Sequence, residues 1–179
     1  KVQHHYAHIL SCMAENEWTT KKKVIGVSFD GTGYGTDGTI WGGEILLADY
    51  DSFKRWGCIE PFAQTGGDAS AKEGWRIAVS LLGKIYGKEI ALSIIETLGL
   101  CESKLAKLQF TMEGRGINTV KSTSAGRLFD AVSAILGIRK ASTFEGEAST
   151  SLQFAAEKCL DSQEEKIAGY EDFVESGVM

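Results

Sequence analysis

The chain has 179 residues, enough for one ordinary domain. Its 21 glycines exceed the usual ~7% share and its single proline, Pro61, falls far below the usual ~5%, yet no Gly-x-y period points to collagen, and 43% hydrophobic residues exclude disorder. With 19 Lys+Arg against 24 Asp+Glu the net charge is −5, which disfavours a general nucleic-acid-binding surface.

Residues 2–15 read as a helix, with Val2, Ile9, Leu10 and Met13 apolar at roughly helical spacing. Asn16 and the basic run Lys21-Lys22-Lys23 form a solvated turn. Val24 to Phe29 is a β-rich run ending at Asp30; a hairpin-type loop is expected over 31–38, and the return strand over Thr39 to Ala48. A third strand is expected from Phe53 to Phe62, closed by Pro61. From Ala69 the pattern turns helical: Ala69–Leu82, Lys88–Gly99 and Glu102 to about Thr111, the last with Leu105, Leu108 and Phe110 as core. Ser122 to Ser124 can cap a further helix, whose stripe of Leu128, Phe129, Val132, Ile135 and Leu136 is ended by Gly137. A final helix covers about 146–160, and 161–179 is expected to form a loosely ordered tail. The result is one mixed α/β (α+β) domain over 1–179: an N-terminal helix, a three-stranded antiparallel sheet, then helices.

No apolar run reaches the ~18 residues of a membrane span, and no signal peptide opens the chain. Cys12, Cys58, Cys101 and Cys159 are scattered without a C-x-x-C pair, so a reduced, cytoplasmic protein is expected. Lys1 and a dense motif beginning at residue 2 suggest a piece of a longer protein.

His4 and His8 stand four apart, on one face of the helix and one turn from each other, a spacing that suits two ligands of one transition metal. His5 points elsewhere. The pair equally reads as surface or capping histidines. Asp30, where a hydrophobic strand meets a glycine run, would add a carboxylate to two imidazoles and complete a three-ligand site, or would simply start a turn. The run Gly31-Thr32-Gly33-Tyr34-Gly35 can bring backbone N–H groups to an anion. It is neither a Walker loop nor a Rossmann fingerprint, because a strand follows it. Strand–glycine loop–strand is the arrangement of actin-like and sugar-kinase nucleotide lobes, and also of an ordinary hairpin. Gly66-Gly67-Asp68 precedes a helix with Lys72 and Arg76: Asp68 reads as its N-cap, and either cation could face a phosphate. Ser122, Gly126 and Asp130 offer a polar helix start, a close approach and a carboxylate; the hydroxyls and helix N-terminal N–H groups suit ribose or phosphate, and Asp130 reads equally as a structural carboxylate.

In this order and spacing, VQHHYAH, SFDGTGYGTDGTIWGGE, TGGDASAKEGWRIA, STSAGRLFDAVSAILG and FEGEAS resemble the C-terminal carbamoyltransferase region of the HypF hydrogenase-maturation family, over about residues 2–160. More distantly they resemble tRNA threonylcarbamoyladenosine transferases and antibiotic O-carbamoyltransferases. The resemblance implies one lobe of an actin-like, ribonuclease-H-like nucleotide-binding fold. It implies that other domains of such a protein use carbamoyl phosphate and ATP to make carbamoyl-adenylate. This module would pass the carbamoyl group to the C-terminal cysteine of a HypE-type acceptor, for the cyanide ligands of [NiFe]-hydrogenase. It further implies that His4, His8 and Asp30 hold one divalent metal, iron or zinc, which would bind the nucleotide phosphate and polarise the carbamoyl centre. Asp30 is also expected to be catalytic. Gly31, Thr32, Gly33 and Gly35 would line the phosphate. Ser122, Gly126, Asp130, Glu145 and Gly146 would lie near the ribose and nucleoside, and Lys72 and Arg76 would contact substrate. Cys12, one turn beyond His8, could be a further ligand, with buried packing the favoured reading.

Two departures stand out. Gly74 replaces the proline usual in the family's E-P-W-R run and should loosen that helix start. The family's S-G-G-V-F-Q-N and D-G-G segments do not occur before Met179, so weak or no turnover is expected of this chain alone. The competing readings are a threonylcarbamoyl transferase, disfavoured by the D-G-T-G-Y-G run, and a non-catalytic nucleotide-binding or partner-docking lobe.

Overall fold

The computed structural model describes residues 1–161. Helix α1, His4–Glu15, begins where Gln3 accepts a hydrogen bond from the Tyr6 N–H at 2.8 Å. It buries His5, Tyr6, Ile9 and Met13 against strand β1, Val24–Tyr34. Gly26 makes the seat: a Cβ there would lie 2.3 Å from Ile9 Cδ1. On the alternate positions of β1, Ile25, Val27 and Phe29 stay exposed.

β1 is longer than the sequence suggests, because Gly31 to Tyr34 continue the strand rather than loop out. Its pairing with β2, Ile40–Ala48, passes from Phe29↔Gly43 to Gly33↔Trp41. Four steps on β1 thus face two on β2, and Asp30, Gly31 and Thr32 bulge from the ladder. The turn itself is shorter: the Gly35 N–H donates to Thr39 O at 2.9 Å, and Asp37 Oδ1 accepts from the Thr39 N–H and hydroxyl.

Strand β3, Phe53–Cys58, ends before Pro61, which lacks a donor for the ladder. The chain resumes as β4, Phe62–Thr65, which joins neither β3 nor β2. It pairs antiparallel with β5, Thr119–Ser122, while β5 runs parallel to β2 at Ile40↔Ser122. The sheet therefore has five strands of mixed sense, not three antiparallel ones: β1-β2-β5-β4, with β3 on β2.

The expected helix over 69–82 splits into a 3₁₀ turn, Gly67–Ala71, and α2, Gly74–Tyr86. The break falls at Lys72 and Glu73, the latter at φ −102 and ψ 80, while Gly66 and Gly67, at φ 113 and 57, lead into the 3₁₀ turn, and Asp68 caps neither element. Gly74 seats α2 rather than loosening it, since a Cβ there would stand 2.7 Å from the Asp130 carbonyl oxygen. α3, Lys88–Leu98, and α4, Ser103–Arg115, pack beside α2. The buried face of α4 is Ala106, Gln109 and Phe110, so Leu105 and Leu108, expected in the core, are exposed. α5, Ala125–Ile135, departs similarly: its buried face is Ala125, Asp130, Ala131, Ser133 and Ala134, while Phe129 and Leu136 face solvent. Small residues let α5 lie close on α2 and β1. α6, Glu147–Asp161, packs on α5. The expected tail falls beyond the described residues, Asp161 apart.

The core is in two parts. Tyr6, Ile9, Met13, Trp41, Leu46 and Ala48 form one cluster between α1 and the sheet. Phe62, Ile77, Val79, Ile95, Phe110 and their neighbours form the other, among the helices.

Candidate active site

The β1 bulge and the start of α1 converge. His4 Nε2 lies 2.6 Å from Asp30 Oδ2 and 3.2 Å from His8 Nε2, and His8 Nε2 lies 3.4 Å from the same carboxylate oxygen. One ligand atom from each residue falls within 4.8 Å of the other two. Atoms each bound at about 2.1 Å to one ion stand roughly 3–3.5 Å apart; both His8 separations fall in that range, whereas His4 and Asp30 at 2.6 Å share a hydrogen bond and would part slightly to admit a zinc- or iron-type ion. All three side chains are reachable from solvent. Burial opposes ionisation of Asp30, but the Gly31 N–H, at 2.6 Å, and His4 hold its carboxyl below the usual range, so it stands as a carboxylate.

His5 lies beneath this group, fully buried, with Nδ1 3.1 Å from Gln3 Nε2. Burial and the neighbouring His4 lower its pKa, keeping it neutral. Gly33 makes room for it: a Cβ would stand 2.4 Å from His5 Cε1 and 2.9 Å from His4 Cδ2.

On the other side of Asp30 opens a cleft of about 340 Å³, lined by Gly31, Thr32, Lys72, Asp130, Glu145 and Gly146 among others. Arg127 also lines it, although the sequence reading passed over this residue. Its Nε donates to Asp130 Oδ2 at 2.7 Å, and a Cβ on Gly31 would stand 4.0 Å from its Nη2. The i,i+3 spacing of Arg127 and Asp130 was the available signal. Burial pushes the Asp130 carboxyl up, and Arg127 counters it. Ser124, the N-cap of α5, ties the two elements: its hydroxyl donates to Gly31 O at 2.7 Å and accepts from the Arg127 N–H at 3.1 Å. Lys72 O accepts from the Ser142 N–H at 2.7 Å, which brings the 142–146 segment to the cleft.

Several candidate residues lie elsewhere. Gly33 packs against the histidines, and Gly35 faces Trp41 and Asp37, so neither lines the cleft. Ser122 is fully buried and accepts from the Ser124 N–H. Gly126 is a packing glycine: its Cβ would meet Gly31 Cα at 2.8 Å. Arg76 pairs with Glu73 at 2.6 Å and stacks on Trp75, away from the cleft. Cys12 is exposed rather than packed, and is not among the converging metal-type ligands.

The family model described as carbamoyltransferase, Kae1-like domain, second subdomain, matches residues 26–175, which include Asp30 and the cleft. The chain is 41% identical over 157 residues to carbamoyltransferase HypF of Rhodobacter capsulatus, covering 87% of this chain and 20% of that protein. It is 39% identical over 158 residues to the probable carbamoyltransferase HypF of Methanocaldococcus jannaschii, covering 88% and 20%. The crystal structure of full-length HypF in the phosphate- and nucleotide-bound form aligns with TM-score 0.76 at 39% identity, over 85% of this chain and 19% of that one. The structure of T. kodakarensis HypF aligns with TM-score 0.76 at 34% identity, over 88% and 21%. The fold is thus that of a Kae1-like carbamoyltransferase domain. The chain belongs to the carbamoyltransferase HypF family and spans about a fifth of the length of these relatives.

Proposed function

We propose that this chain is the transfer module of a HypF-type carbamoyltransferase, moving a carbamoyl group from carbamoyl-adenylate to the C-terminal cysteine thiolate of a HypE-type acceptor and releasing AMP. The adenylate would come from carbamoyl phosphate and ATP through the other domains of such a protein. The observation that carries the reading is the junction at Asp30, with a three-ligand group on one side and a cleft walled by Arg127, Lys72 and Thr32 on the other.

The residues divide the work. His4, His8 and Asp30 would hold a divalent iron or zinc ion, which would supply Lewis-acid positive charge at the mouth of the cleft. Arg127, oriented by Asp130, offers a planar guanidinium to the phosphate, and Thr32 offers a hydroxyl. Lys72 adds a point charge, while Asp130 and the Glu145-Gly146 segment border space for the nucleoside. The relative crystallised with phosphate and nucleotide supports a nucleotide as the ligand class.

The test is transfer itself. A full-length polypeptide containing this chain, given carbamoyl phosphate, ATP and a HypE-type acceptor, should carbamoylate the acceptor's terminal cysteine. Asp30→Asn should slow that step by at least about a hundredfold with the thermal midpoint retained. Wild-type rates in both Asp30→Asn and His4→Ala would overturn the reading.

A further inference from the structure

Glu44 of β2 stands outside the cleft and is wholly buried, yet its carboxylate gathers donors from separate parts of the chain. Arg55 Nε of β3 donates to Oε2 at 2.6 Å; the same guanidinium reaches Asp37 Oδ2 in the hairpin turn at 3.1 Å and lies 4.3 Å over the Trp41 ring. Oε1 accepts from the Gly42 and Gly43 N–H groups at 3.3 and 3.4 Å. It also accepts a short hydrogen bond from the hydroxyl of Thr123, in the turn between β5 and α5. A buried ion pair of this kind adds little net stability. What it adds is direction, because one carboxylate fixes β3, the glycines of β2 and the entry to α5 to a single point. Ser124 follows Thr123, and its hydroxyl bonds both the Gly31 carbonyl and the Arg127 N–H.

No side chain cushions this path. A Cβ on Gly42 would stand 2.6 Å from Asp30 O and 2.8 Å from Ser124 Cα, one on Gly43 2.5 Å from Thr123 O, and one on Gly126 2.8 Å from Gly31 Cα. β2, the β1 bulge and the start of α5 are therefore in backbone contact, and packing this close transmits displacement instead of absorbing it. We propose that Glu44 is a positioning residue of the site: acting through Thr123 and Ser124, it sets the spacing between the Asp30 carboxylate and the Arg127 guanidinium. The proposal rests on the reading of the cleft as a nucleotide site and extends it to a residue that touches no ligand. Asp30 and Arg127 come from different elements, and groups that grip one phosphate must be held to within about 0.5 Å of the productive geometry. The β1 bulge is tied to α1 by His4 and to β2 by its ladder, so what Thr123 controls is the seating of α5 against it. The metal-type group is spared, since His4, His8 and Asp30 converge from α1 and β1 alone.

Calorimetric titration of AMP into the zinc-loaded 179-residue chain, beside zinc affinity from chelator competition, tests this. Thr123→Val, equal in shape but without the hydroxyl, should weaken AMP binding about tenfold. Zinc affinity should change by less than about twofold. Thr123→Ser keeps the donor and should bind AMP as the wild type does. Glu44→Gln puts an NH₂ where donors now point; it should repeat the AMP loss, and should add little to it in the Thr123→Val background. Wild-type AMP affinity in both Thr123→Val and Glu44→Gln would sink the positioning role alone. So would an equal loss in Thr123→Ser, or AMP and zinc affinity falling together, the mark of general loosening. A wild-type chain that takes up zinc but not AMP would remove the functional reading, and this role with it.

Discussion

Gly33 sits in an extended strand and needs no unusual backbone angle, yet it is the residue with least room to change near the candidate metal group. Its missing side chain is the space occupied by the edges of His4 and His5. His5 is sealed between α1 and the sheet and cannot yield, so an added methyl must push the start of α1 outward and take His4 Nε2 from its place beside Asp30. Gly33→Ala should therefore lower the affinity for zinc at least tenfold, read by competition with a chromophoric chelator. Unchanged affinity would show that the histidines are not held by this contact. At Gly33 and Gly35 the groups that come close are the rings of His5, His4 and Trp41: glycine enrichment announces close approach, but not whether the approaching group is a ligand or a neighbouring ring.

At the scale of elements, the 142–146 segment is pinned rather than loose. The Glu147 carboxylate accepts from the Thr143 N–H at 2.6 Å and from its hydroxyl at 2.9 Å, and pairs with Arg139 at 3.2 Å. The Thr143 backbone bond, with its hydroxyl, lowers the Glu147 pKa. A carboxyl whose folded pKa lies below its unfolded value stabilises the structure above about pH 4.3, and that contribution is lost as pH falls through the folded value. The protection of the Thr143 amide, its exchange rate taken relative to an unstructured amide at the same pH, should accordingly fall on acidification below about pH 4.3, and Glu147→Gln should remove that loss. Protection that does not change with acid in the wild type would refute the pin. The sequence made α1, α3 and the start of β1 legible because each carries an uninterrupted apolar period. β4 and β5 were not legible: four residues apiece, one abutting Pro61 and the other following a helix, they exist through pairing across more than fifty residues of chain. Leu105, Leu108, Phe129 and Leu136 misled for the converse reason. α4 and α5 bury small or polar residues where backbones come close, so the larger apolar side chains face outward. His4, His8 and Asp30 could be read from spacing, whereas Arg127, for all its i,i+3 partner Asp130, takes on a role only once α5 borders the cleft beside Asp30.

The whole molecule joins an N-terminal helix to its sheet through side chains that can share an ion. An ion bound only by the folded chain raises stability in proportion to the logarithm of its concentration, by about 2.7 kcal/mol at a hundred times Kd. The thermal midpoint should thus climb with added zinc, and His8→Ala should flatten the response. A wild-type midpoint indifferent to zinc would count against the three-ligand group. No helix among the described residues is long and apolar enough to cross a membrane.

The division of the core has a further consequence. Between the α1–sheet cluster and the helical cluster lie buried hydroxyls, amides and carboxylates, including Ser122, Thr123, Ser124, Glu44, Gln64 and Asp130, rather than a continuous hydrocarbon interior. Hydrogen bonds of this kind weaken quickly once water enters, so the join is where native-state opening should begin, ahead of either oily half. Amides of β2 and of α2 would then report separate protection, each closing as its own cooperative unit. The cleft straddles that join, with Asp30 from one half and Lys72 and Asp130 from the other. A ligand spanning it would act as a third fastener, slowing exchange in both halves at once, a coupling that neither half on its own could display.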